Sequence, residues 1–188
     1  MRNLMLATAS AIVLSMAGAG IGYAAEQYSS PTNMPGSAMQ MPSTELGCTL
    51  SAPARVGSGE PLMLRFRLTN RTPRTLYVLD WHTPLEGVLA NMLRVRHEGQ
   101  ERLYRGPLLK RGDPQAEDYR ALAPGASVEE EIDVALGYDT DPPGRYFIAF
   151  RGPLMDVAQG EAPVPRTLDQ LQPMTLLCNE VETERIPR

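Results

Sequence analysis

Leu62, Leu64, Phe66 and Leu68 alternate with Met63, Arg65, Arg67 and Thr69. A two-residue period puts one set on a buried face and the other in water, which is the signature of a half-buried β-strand. The pattern recurs down the chain. Thr75 to Leu79 is the next expected strand. Asn91 to His97 then alternates with Leu93 and Val95 inward and Arg94 and Arg96 outward. Glu101 to Arg105, Ser127 to Leu136 (Val128, Ile132 and Val134 buried) and Arg145 to Arg151 (Tyr146, Ile148 and Phe150 buried) follow. Met174 to Val181 closes the series through Cys178. Turn chemistry separates them at Asn70-Arg71-Thr72-Pro73, Glu98-Gly99-Gln100, Ala123-Pro124-Gly125-Ala126 and Asp139 to Gly144. Gly106 to Tyr119 reads as a long surface loop with one helical turn, and Gly152 to Pro165 as a Pro/Gly-rich excursion. Seven to eight short strands about every ten residues, with no amphipathic helix, predict an all-β fold. The expected form is an immunoglobulin-like antiparallel Greek-key sandwich, with a small barrel as the alternative.

The flanks carry a different pattern. Arg2, the apolar run Leu4 to Ile21 and the small residues Gly22-Tyr23-Ala24-Ala25 predict a signal peptide over 1–25 and a periplasmic or secreted destination. A membrane anchor is the competing reading of that run, which is glycine-broken and barely long enough to span. Cys48 lies too far beyond it for a lipoprotein. Residues 26–45 are rich in Ser, Pro and Met and are expected to be a disordered tether. The sandwich is expected over 46–182 and a tail over 183–188. Met34, Met39 and Met41 fall in the tether, and thioethers suit copper(I), so a copper-handling role is one alternative.

Without Arg2 the chain has 17 basic against 22 acidic side chains, a formal charge near -5, which argues against a nucleic-acid partner. Of the 18 basic residues only Lys110 is a lysine. Cys48 and Cys178 flank the expected domain, and in an oxidising compartment the default is that they pair; a metal-binding thiol pair is the alternative, with no histidine or third cysteine at suitable spacing. That bridge would close a loop of about 130 residues, which the chain-entropy model values at about 4–5 kcal/mol.

Leu76 to Gly87, LYVLDWHTPLEG, begins as an apolar strand and turns at Asp80 into a rim loop holding the sole tryptophan. Trp81 is the largest apolar side chain and is expected at the centre of the core. Enzymatic chemistry finds little footing. His82 and His97 show no paired-ligand spacing, and His97 is read as a solvated hairpin residue. No Gly-x-Ser-x-Gly elbow or phosphate-cradling glycine loop is present. Glu129-Glu130-Glu131 reads as a solvated face, with Glu130 on the inward phase predicting a strand end or bulge. No cofactor or metal site is expected, and the chain reads as a non-enzyme.

Several stretches resemble, in order, the N-terminal pro-domain of the deuterolysin and peptidyl-Lys metallopeptidases, the aspzincins. They are Arg65 to Asn70, Leu76 to Gly87 with Thr83-Pro84-Leu85-Glu86-Gly87, Tyr104 to Arg111 (YRGPLLKR) and Asp118 to Ser127 (DYRALAPGAS). Ala135 to Asp139 (ALGYD) and Pro143 to Phe150 (PGRYFIAF) complete the set. In that family a zinc domain with His-Glu-x-x-His and a later Gly-Thr-x-x-Asp follows, and neither motif occurs here. The resemblance therefore implies a free-standing pro-domain-like inhibitor or folding chaperone, whose protein partner is a secreted zinc metalloprotease. It implies partner contacts at Asp80, Trp81, His82, Thr83, Pro84, Leu85, Glu86, Lys110 and Arg111. Lys110 would enter a lysine pocket; the bland alternative pairs Lys110-Arg111 with Asp113, Glu117 or Asp118 across their own loop. A structural or adhesive envelope sandwich is the rival from another class.

Overall fold

A computed structural model describes residues 45–159 and 164–187. The signal peptide and the tether over 26–44, with its three methionines, lie outside the described residues. Eleven strands are present among those described, numbered in chain order. β1 (Leu46–Ser51), β3 (Met63–Asn70) and β8 (Ser127–Asp133) form one sheet in the order β1-β3-β8. β4 (Leu76–Leu79), β7 (Tyr119–Leu122) and β10 (Val157–Gln159) form a second, in the order β10-β4-β7. The third has five strands, β2 (Arg55–Gly57), β11 (Val181–Ile186), β9 (Gly144–Phe150), β5 (Leu93–His97) and β6 (Gln100–Glu101), in the order β2-β11-β9-β5-β6. Every ladder is antiparallel except β2 with β11.

The alternation on β3 does what its period demands. Leu64, Phe66 and Leu68 are fully buried. On the opposite face Arg65 meets Glu131 at 2.8 Å and Arg67 meets Glu129 at 3.1 Å, directly across the ladder to β8. These exposed pairs contribute little energy but match the register. β8 returns to β3 past the intervening strands, and β9 lies between β5 and β11, so the connections cross in Greek-key fashion. One core receives side chains from all three sheets, among them Leu50, Phe66, Val78, Leu93, Ile132, Tyr146 and Ile148. Phe66 meets Phe150 across it with ring centroids 5.5 Å apart. The chain is an immunoglobulin-like antiparallel β-sandwich. Cys48 and Cys178 are joined, their Cα atoms 4.8 Å apart. The next residue, Asn179, donates to the Leu50 carbonyl and accepts from its amide, both at 2.9 Å, which occupies part of the outer edge of β1.

Several expectations are corrected. The strand count rises from seven or eight to eleven because short strands occur where loop was expected. Tyr119–Leu122 ends the long loop, and Val157–Gln159 sits inside the Pro/Gly excursion. Glu101 to Arg105 contributes only the end of β6, followed by an isolated bridge from Tyr104 to Tyr138. Met174 to Val181 is not a strand: Met174 bridges Leu154, and pairing begins at Val181 and runs to Ile186. Residues 183–186, expected in the tail, are thus in the sheet, held by hydrogen bonds to β9 and β2. Glu130 is exposed with no bulge, because β8 is an edge strand and its ladder to β3 runs unbroken through Glu130 opposite Phe66. Trp81 is not at the centre. Leu76 and Val78 point into the main core, whereas Leu79 and Trp81 join Tyr119 in a separate small cluster with Tyr77, Met155, Val164 and Leu171. The strand's own alternation sends them to the opposite side.

Candidate partner-binding site

The chain leaves β4 through a tight turn. The Thr83 amide and hydroxyl both donate to the Asp80 carbonyl, at 3.2 and 2.6 Å, and His82 takes the left-handed conformation at φ 57°. Thr83 then caps a 3-10 turn over Pro84–Glu86, its hydroxyl accepting from the Leu85 amide at 3.1 Å. Proline at the first position costs no hydrogen bond there, and Gly87, at φ 86°, lets the chain turn out again. Glu86 reaches back to accept from the His82 amide at 2.7 Å.

Most of this loop faces inward. Asp80, Trp81, Thr83, Pro84 and Leu85 are buried, Glu86 is partly buried, and His82 is exposed. The buried members are a scaffold and offer a partner little surface. Desolvation raises the Asp80 carboxyl above its usual 3.8, against the pull of Arg120 at 2.8 Å. Glu86 is raised for the same reason, opposed by the His82 amide and Arg111. Asp80 Oδ1 and Trp81 Nε1 are buried without hydrogen-bond partners among the described residues.

Arg111 ties the second loop to this scaffold. Its guanidinium lies 5.0 Å from the Trp81 ring centroid and forms an ion pair with Glu86. Asp113 accepts from the Leu168 amide at 2.9 Å. On the other side Tyr104 donates to the Pro107 carbonyl at 2.6 Å, and a Cβ at Gly106 would come 2.5 Å from that hydroxyl, so the close pass requires glycine there. Burial raises the Tyr104 phenol above its usual range. Between these anchors Leu108, Leu109 and Lys110 are exposed, Leu108 at 74 %. Lys110 has no hydrogen-bond or ion-pair partner among the described residues. The bland alternative for Lys110-Arg111 is therefore not what forms: Arg111 pairs with Glu86, Asp113 serves Leu168, and Asp118 accepts from the Gln115 amide.

A strap from Val164 to Gln172 closes over the Trp81 cluster. Asp156 is fully buried and accepts from Arg166 at 2.8 Å, from the Tyr119 hydroxyl at 2.8 Å and from the Gln172 amide at 3.0 Å. Burial and that bond to Asp156 push the Tyr119 phenol up to about 12.

Thus the structure joins Trp81, Glu86 and Arg111 and leaves His82 and Lys110 outside. Sequence reasoning missed Leu108, Leu109 and the Asp156–Arg166 tie. The Thr83-Pro84-Leu85-Glu86 order, a capping residue before proline, was the available signal that this loop is a structured turn. His97 is also corrected. Its ring stacks on Tyr146 at 4.5 Å, approaches the Pro143 carbonyl at 3.0 Å and receives Arg102 at 3.0 Å.

Among the described residues no group of three His, Cys, Asp or Glu side chains converges to hold a metal ion. No helix among them is long and apolar enough to cross a membrane. No protein-family model matches the chain. It is 31 % identical over 94 residues to a protein named "Extracellular protease" from Aeromonas hydrophila, a match covering 50 % of this chain. The chain spans only 27 % of that relative's length. Among solved structures it is similar to the CARDB domain of the PF1109 protein from Pyrococcus furiosus, in complex with di-metal ions. That likeness is at 11 % identity and TM-score 0.33, covering 76 % of this chain and 94 % of that one. A solution NMR structure of the same domain matches at 13 % identity and TM-score 0.27, over 73 % and 97 %.

Proposed function

We propose that the chain is an exported, non-catalytic protein-binding module, and that it acts as an inhibitor or folding chaperone of an aspzincin-type metalloprotease. The observation that carries this reading is the loop around Lys110. It is anchored on one side through Pro107 and on the other through Arg111 and Asp113, yet it leaves Leu108-Leu109-Lys110 exposed with the lysine unpaired. A loop already held in one conformation has less entropy to lose on entering a cleft. Partial similarity to an extracellular protease supports the same partner class. The Cys48–Cys178 bridge supports an oxidising compartment outside the cytoplasm.

In mechanism the reading is steric. The Lys110 loop lies in the protease cleft with His82 beside it, and the buried Asp80–Glu86 turn and Trp81 cluster hold the loop in place behind. The test is inhibition of a lysine-directed aspzincin by the purified mature protein. Lys110→Ala is expected to weaken inhibition by about 1–3 kcal/mol while leaving the unfolding midpoint unchanged. No inhibition at tens of micromolar by the parent protein removes the reading.

A further inference from the structure

β11 sets Thr183 and Arg185 two residues apart on one inward face, 0 % and 1 % exposed. Arg185 Nη1 donates to the Gly57 and Glu60 carbonyls at 2.7 and 3.0 Å, and Nη2 to Thr140 Oγ1 at 3.3 Å. Among the described residues its Nε–H has no acceptor, and neither has the Thr183 hydroxyl. None of the ion pairs among the described residues includes Arg185. Across the ladder from Thr183 lies Tyr146, fully buried and stacked on His97. Arg102 hydrogen-bonds the His97 ring at 3.0 Å, and its own Nε is buried and unpartnered among the described residues. This end of the sandwich thus leaves N–H and O–H donors without acceptors, around a fully buried guanidinium that makes no ion pair among the described residues.

Two carbonyls soften that charge without neutralising it. A buried unpaired cation costs several kcal/mol, and orphaned donors add to the cost. Water supplies an acceptor but no charge. We propose that Thr183 Oγ1 and Arg185 Nε hold a small monovalent anion of the halide class, which accepts from both donors and supplies the missing negative charge. The bound ion ties β11 to the turn between β2 and β3, which Arg185 already grips through Gly57 and Glu60.

Thermal unfolding of the mature protein in sodium chloride against sodium gluconate, at fixed ionic strength, tests this. Raising chloride from about 10 to about 300 mM is expected to lift Tm by about 3–6 °C, saturating as a single site. Thr183→Val keeps the side-chain shape and removes the donor. It is expected to fold with the disulfide intact and to lose the chloride response. Crystals soaked in bromide are expected to show an anomalous peak between Thr183 Oγ1 and Arg185 Nε. Equal Tm in the two salts overturns the proposal. So does a chloride response unchanged in Thr183→Val, or bromide bound only at exposed arginines.

Discussion

Asp80 is 8 % exposed, and Arg120 offsets its desolvation only in part, so its folded-state pKa lies above the usual 3.8. The folded chain therefore binds that proton more tightly than the unfolded chain. The associated stability is fully present below the usual value and is lost as pH rises through the raised one. Relative to Asp80→Asn, the parent protein is expected to gain stability as pH falls from neutral towards about 4. Denaturant midpoints of the two proteins at matched pH read this directly, and parallel curves would contradict it. Tyr138 gives the alkaline counterpart. Its hydroxyl accepts from the Leu93 amide at 3.1 Å and lies 2.8 Å from the Leu93 carbonyl, and burial pushes its pKa up to about 12. Stability is expected to fall between about pH 10 and 12 as the unfolded phenol ionises first. In Tyr138→Phe that part of the loss disappears, at a cost of about 1–2 kcal/mol at neutral pH.

At the scale of elements, the strap and the Lys110 loop depend on one buried carboxylate. Asp156 gathers Arg166, Tyr119 and the Gln172 amide, and the strap in turn gives Asp113 its partner at Leu168. Asp156→Ala leaves Arg166, whose side chain is 16 % exposed, without its counter-charge. A loss of about 3–5 kcal/mol is expected. Limited proteolysis should cut first between Val164 and Gln172, since the rest of the sandwich keeps its ladders. Cleavage elsewhere at the same rate would show that the strap is not the element Asp156 holds. Asn70 does comparable work at the other end of β4. Its side-chain amide donates to the carbonyls of Arg74, Leu122 and Ala123, while its oxygen accepts from the Thr72 amide and hydroxyl. This one buried residue therefore joins the end of β3 to β7.

The whole molecule is closed by the bridge between β1 and the segment entering β11. Reducing it, or replacing Cys48 and Cys178 by serine, releases a loop of 130 residues and is expected to cost up to about 4–5 kcal/mol. Urea midpoints with and without reductant measure the loss. An unchanged midpoint would mean that the Asn179 clasp and the β11 ladders hold the ends without the covalent bond.

Alternation alone determined the class of this protein. A two-residue period leaves a strand no other way to bury Leu64, Phe66 and Leu68 while wetting Arg65 and Arg67, and enough such runs between turn residues make a sandwich. The pairing of the cysteines followed from their number and the oxidising compartment expected for the chain. What the chain order could not convey was partnership across space. Trp81 looked central because it is large, yet it lies on the face opposite Leu76 and Val78, in a second cluster built from residues up to about 90 positions away. Thr183 and Arg185 fell in the expected tail over 183–188, yet β11 pairs with β9 and β2 and both are buried. Arg111 found Glu86 and Trp81, not the nearer acids, which left Lys110 unpaired. Each of these outcomes is set by long-range packing, because burial and ion pairing depend on which distant segments the folded chain brings alongside.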